Sequence, residues 1–85
     1  MFNIQMSSIK SSFTTILEDG TIPKNMKLKI DNVLGILNSE SEITLKINKV
    51  LNELEEISND TNISPHLRTQ MWNLISSLEG VLRLI

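Results

Sequence analysis

The chain has no cysteine. That excludes a disulfide scaffold, every thiolate zinc site and every cysteine nucleophile. Long apolar runs are missing too. The longest is Val33-Leu34-Gly35-Ile36-Leu37, against the roughly 20 residues of a membrane span. Glycine is scarce, with three isolated residues, so no glycine-rich loop exists to cradle a phosphate. The first residues lack a basic segment followed by an apolar stretch, the mark of a signal peptide. The expected compartment is the cytoplasm, with no membrane partner. Neither charge is in large excess: eight basic residues stand against ten acidic, a net charge of −2. Duplex binding draws on a basic excess, so nucleic acid is disfavoured as a partner. The one local basic patch is Lys24, Lys27 and Lys29, which reads first as a solvated helix face.

What is present is enough for a fold. Of the 85 residues, 40% are apolar, too many for a disordered chain of low net charge. The length makes one domain, residues 1–85. The apolar residues recur at spacings of three and four. Phe2, Met6, Ile9, Phe13 and Ile16 form one stripe, which predicts a helix. Asp19-Gly20-Thr21-Ile22-Pro23 then breaks the pattern, with Gly20 as a helix terminator and Pro23 in the next first turn. Met26, Ile30, Val33, Leu34 and Leu37 form the second stripe. In the following break, Ser39 and Glu42 have the spacing of a capping box. The third stripe is Ile43, Ile47, Val50, Leu54 and Ile57. The fourth is Leu67, Met71, Leu74, Ile75 and Leu78, then Val81 or Leu82, with Ser64 as N-cap and Pro65 in the first turn. No stretch alternates with the period of a strand.

The halves match at an offset of 41 residues. Along the stripes, Met6 meets Ile47, Phe13 meets Leu54 and Ile30 meets Met71. Two amphipathic hairpins share many such pairs anyway. The turns are better evidence, since Asp19 aligns with Asp60 and Ile22 with Ile63. The expected fold is all-α: two duplicated hairpins, residues 1–38 and 42–85, with a HEAT-like period, packed as a four-helix bundle. A chain this short buries only about 60–65% of its unfolded surface, which favours self-association.

Differences between the halves point to use. Leu28 and Ile36 lie off the second stripe, where the fourth has Thr69 and Ser77. Helix two is therefore more enclosed, or offers a second face. Trp72 stands where the first half has Asp31. It either covers the edge of its own core or forms a contact hot spot, a role in which tryptophan is enriched. Arg68, one turn earlier, is placed to stack on it.

The stretch from Leu54 to Leu78 resembles uncharacterised protein family 0147, a group of short archaeal proteins. The residues that carry the resemblance are Glu56-Ile57-Ser58 before Asp60, then His66, Arg68, Thr69, Trp72 and Asn73. Ile22-Pro23-Lys24-Asn25 matches more loosely. The resemblance implies an all-helical protein with no assigned activity. In the family pattern a proline directly follows the apolar residue here occupied by Ile63. This chain has Ser64 there and proline one place later, which shifts the helix cap.

Chemistry-bearing residues are few. His66 is the only histidine, and no spacing links it to a nucleophile or a metal set. Its plain role is a bond to nearby backbone. Glu53, Glu56 and Asp60 belong to the densest acidic run. Paired carboxylates do acid–base work only when one is buried, and polar neighbours make this a wet face. It sits at a helix C-terminus, where negative charge is unfavourable, so its use is a basic partner or the ordering of the turn through Arg68. Asp19 and Asp60 read as turn caps.

Three functions are expected in order. The first is a non-enzymatic module that binds a protein partner or a second copy through Arg68, Trp72 and His66, or through Leu28 and Ile36. The second is a ribosome- or RNA-associated accessory protein using Lys24, Lys27, Lys29 and Arg68. The third is an enzyme built on Glu53, Glu56, Asp60 and His66. No cofactor and no metal site is expected.

Overall fold

Each predicted stripe becomes one helix in the computed structural model, which describes the backbone of residues 2–85 and the side chains of residues 5–85. The side chain of Phe2, first of its stripe, lies outside the described residues. The helices are α1 (Phe2–Leu17), α2 (Lys24–Leu37), α3 (Ile43–Ser58) and α4 (Pro65–Leu82). There is no strand among the described residues. Each helix packs on two neighbours: α1 on α2 and α4, α3 on α2 and α4. Among the described residues the backbones of the diagonal pairs do not come close. That is an up-down bundle closed by short connections, 34 Å long and 19 Å across.

The stripes face inward. Met6, Ile9, Phe13 and Ile16 of α1 and Met26, Ile30, Val33 and Leu37 of α2 are buried in one core. The second hairpin contributes Ile47, Val50, Leu54 and Ile57, then Leu67, Met71, Leu74, Leu78 and Val81. Leu34, Ile43, Ile75 and Leu82 flank this core half-buried. Full burial of a core side chain such as Phe13 or Leu54 stabilises by about 1.5–3 kcal/mol.

The duplication extends to the backbone. Adding 41 to Phe2, Leu17 and Lys24 lands on Ile43, Ser58 and Pro65, the corresponding helix limits. The two turns repeat the same bonds to main-chain N–H groups. Asp19 Oδ1 accepts from Thr21 N at 2.9 Å, and Asp60 Oδ1 from Asn62 N at 2.8 Å. The Asp19 and Asp60 carbonyls accept from Ile22 N and Ile63 N, each at 3.3 Å. Both isoleucines are buried and plug the turn end of the core.

Three local expectations are corrected. No described residue, Gly20 included, has positive φ, so α1 ends through the Asp19 turn and not through a left-handed glycine. Pro23 is the N-cap of α2, one place before its first turn. The capping box is not formed. Helix α3 begins at Ile43, which makes Glu42 its N-cap with no side-chain bond. Ser39 is three residues too early and turns back instead, donating from Oγ to Ile36 O at 2.7 Å.

Candidate functional site

Helix α4 carries most of the residues singled out by sequence. Its N-cap is Ser64, whose Oγ accepts from Leu67 N at 3.2 Å. This fixes the first turn and, with it, the direction of His66 and Arg68. Arg68 reaches back across the α3–α4 turn. Its Nε donates to Ser58 O at 3.1 Å and its Nη2 to Asp60 O at 3.3 Å. The guanidinium thus clasps the end of α3, where helix carbonyls lack internal partners. Its donors go to main-chain oxygens and not to Glu53 or Glu56.

Trp72 is 58% exposed and is not one of the buried core residues. Met71 takes the inward place and is fully buried. One residue on, the helix has turned by about 100°, which carries the indole off the core stripe. More than half of Trp72 is left exposed, one helical turn beyond Arg68, which is anchored on the α3–α4 turn.

The second apolar face on α2 does not form. Ile36 is half-buried and packs against the core, while Leu28 stands alone at 64% exposure. Of the two off-stripe residues, only Ile36 is enclosed. The basic patch is also divided. Lys27 and Lys29 are about 200° apart on a helix, and only Lys24 and Lys27 lie near each other on its surface. Glu53 is half-buried and Glu56 exposed. Neither they nor Asp60 line any cavity described here. No group of three or more metal-ligating side chains is placed to hold an ion among the described residues. No described helix is long and apolar enough to cross a membrane.

His66 is brought together with a residue the sequence reading did not pair with it. It borders a cavity of about 240 Å³ at the turn end, opposite Asp19. The Asp19 carboxyl is held below the usual carboxylate range, first by the Thr21 hydroxyl bond at 2.7 Å and then by the Thr21 N–H. Nearby His66 and Lys27 act in the same direction. The cavity lies between equivalent pieces of the two hairpins, Ile22 with Ile63 and Met26 with Leu67.

A further row of polar residues was not singled out in the sequence. Ser8, Ser12 and Thr15 of α1 line two more cavities with Asn73, Ser77 and Gly80 of α4. The signal was the density of hydroxyls in α1: Ser7, Ser8, Ser11, Ser12, Thr14 and Thr15. The 41-residue equivalence explains the opening. Ser77 takes in the α1–α4 seam the place of Ile36 in the α2–α3 seam, and a serine fills less space than an isoleucine.

The chain is similar to curated proteins over nearly its whole length. A UPF0147 protein of Methanosarcina mazei is 39% identical, the match covering 92% of this chain and 95% of the relative. A UPF0147 protein of Methanothermobacter thermautotrophicus is 34% identical over 95% of this chain and 80% of its own. Among solved structures, one from the same uncharacterised family in Thermoplasma acidophilum superimposes with a TM-score of 0.87. It is 29% identical and the match covers 93% of this chain and 94% of that one. A crystal structure of a protein of unknown function gives a TM-score of 0.81 at 36% identity, covering 88% of this chain and 86% of that one. The model of the uncharacterised protein family UPF0147 matches residues 3–81, and the chain belongs to that family.

Proposed function

We propose that the protein is a non-enzymatic interaction module of the cytoplasm that docks a protein partner, a second copy of itself included, through the Trp72 side of α4. The observation that carries this reading is the 58% exposure of the only tryptophan. Tryptophan is a preferred anchor of protein interfaces because its large rigid ring gains much on burial and loses little entropy. The Arg68 clasp on Ser58 and Asp60 supports it further, because a side chain already fixed presents a preorganised rim.

The test is capture by the tagged full-length chain from an extract of a host with a member of this family, with and without ribonuclease. A stoichiometric, nuclease-resistant protein that is lost with Trp72→Ala is the expected result. A dimer of the bait that falls apart with Trp72→Ala is the self-docking form of the same result. Retention that vanishes with nuclease overturns it in favour of RNA association. So does a partner indifferent to Trp72→Ala.

A further inference from the structure

Arg68, Trp72, Ile75 and Glu79 of α4 follow one another at spacings of four, three and four. Such spacings keep side chains on one stripe of a helix. The stripe runs along the flank from which Arg68 reaches the α3–α4 turn. Trp72 and Glu79 are exposed, and Arg68 and Ile75 are half-buried, so all four show at the surface. The equivalent stripe of α2 is Lys27, Asp31, Leu34 and Asn38. Of the two, only the stripe on α4 has a large apolar pair at its centre and opposite charges at its ends.

This stripe is its own complement. Spacings of four, three and four read the same in both directions. Two copies of α4 laid antiparallel, about a two-fold axis between Trp72 and Ile75, set Arg68 against Glu79 of the second copy and Trp72 against its Ile75. Each contact then occurs twice, as an isologous interface requires. Laid parallel, the same stripes set arginine on arginine and glutamate on glutamate. On α2 the antiparallel register sets Asp31 against Leu34 and Lys27 against Asn38, which gives no complement. The end charges of α4 are open to such pairing. Arg68 gives Nε and one Nη2 hydrogen to carbonyls, which leaves the other N–H groups of its fork on a guanidinium already held in place. Arg83, one turn beyond Glu79, turns toward Gly80, its Nη2 3.9 Å from where a Cβ on that glycine would stand.

We propose that the occupant of the Trp72 face is a second copy of this chain, docked antiparallel along α4 with Arg68 on Glu79 and Trp72 on Ile75. The pairing rests on the docking role given to Trp72 above and narrows it to one partner in one register. A foreign segment has to bring the same four groups in reverse order, which the chain already carries. The 18 residues of α4 make a helix about 27 Å long, on a bundle 19 Å across. This face offers less than the roughly 800 Å² per partner of a standard interface, so the dimer is weak and concentration-dependent. Its end charges fix the register, and salt that screens them loosens it.

The test is sedimentation equilibrium of the full-length chain from micromolar to millimolar concentration, joined to isotope-filtered NOE spectra of a labelled and unlabelled mixture. The expected result is a reversible dimer with contacts between the Trp72 indole of one copy and the Ile75 methyls of the other. Trp72→Ala weakens it about tenfold or more, as loss of a central anchor does. Glu79→Lys, which sets like charges opposite each other at both ends, weakens it by about tenfold or more as well. Trp72 and Glu79 are exposed, and circular dichroism checks that both variants stay folded. Asp31→Ala, at the place in α2 equivalent to Trp72, leaves the dimer unchanged. A dimer indifferent to Glu79→Lys, or one whose contacts between copies lie elsewhere, overturns the proposal. A chain that stays monomeric at millimolar concentration, yet captures a foreign protein through Trp72, overturns the second copy and keeps the docking role. A chain with no Trp72-dependent partner of either kind overturns both.

Discussion

Arg68 and Asp60 are tied across the α3–α4 turn: Nη2 of the guanidinium donates to the Asp60 carbonyl at 3.3 Å while Nε holds Ser58 O at 3.1 Å. Hydrogen bonds from a charged donor stabilise by about 1.5–3 kcal/mol each when buried, and partial exposure of Arg68 reduces this. Arg68→Ala is expected to cost about 1–3 kcal/mol in urea unfolding. Arg68→Lys recovers only part, because a lysine lacks the fork that spans two carbonyls. Full stability in both variants would show that the clasp contributes nothing.

The equivalent helix starts differ in their caps. Ser64 Oγ accepts from Leu67 N, whereas Pro23 has no side-chain cap bond. Ser64→Ala is expected to lower stability by about 1 kcal/mol, the usual worth of an N-cap. Ser76→Ala, at an exposed position inside the same helix, serves as the control and shifts it by about 0.5 kcal/mol or less. Equal midpoints for the two variants would contradict the cap.

Asp19 carries a pH dependence with a defined sign. Its carboxyl is lowered from 3.8, chiefly by the Thr21 hydroxyl. A folded-state value below the unfolded one means that the ionised form favours the fold. The contribution is fully present above the unfolded value and is lost as pH falls through the lowered one. Thr21→Val removes the hydroxyl donor and keeps the N–H. The Asp19 titration, followed by carboxyl-carbon NMR, should then move back up toward the ordinary value. An unmoved titration would show that the Thr21 hydroxyl is not the cause.

The parts of the fold that rest on periodicity were legible. Phe13, Ile30, Leu54 and Met71 fell on the expected stripes because a helix must bury one face, and the spacing of apolar residues records which. Ser64-Pro65 was legible because the cap and the fixed proline φ act locally. The Arg68 clasp was hidden in its details, since its acceptors are main-chain oxygens that any residue supplies. Ser39 and Glu42 had the right spacing but the wrong register, which depends on where α3 starts. The hollows along the α1–α4 seam were hidden because their cause is a relation between halves: Ser77 stands in that seam where the bulkier Ile36 stands in the other. The 41-residue alignment had set these two side by side, but the seam they line is known only once α1 and α4 meet.

Trp72 and Met71 are neighbours with opposite surroundings, the first 58% exposed and the second 0%. Their alanine variants should therefore separate stability from binding. Met71→Ala leaves a cavity in the core and is expected to cost about 2–5 kcal/mol, a large share of the stability of a domain this small. Trp72→Ala removes a ring that is more than half exposed and leaves no cavity in the core, so a smaller change, about 1 kcal/mol or less, is expected. Equilibrium unfolding by circular dichroism measures both on one scale. If Trp72→Ala destabilises as much as Met71→Ala, the indole is packing rather than waiting for a partner, and any loss of capture by that variant would report unfolding. If the two differ as expected, a loss of capture with Trp72→Ala is a loss of contact, because the scaffold that presents the ring is intact.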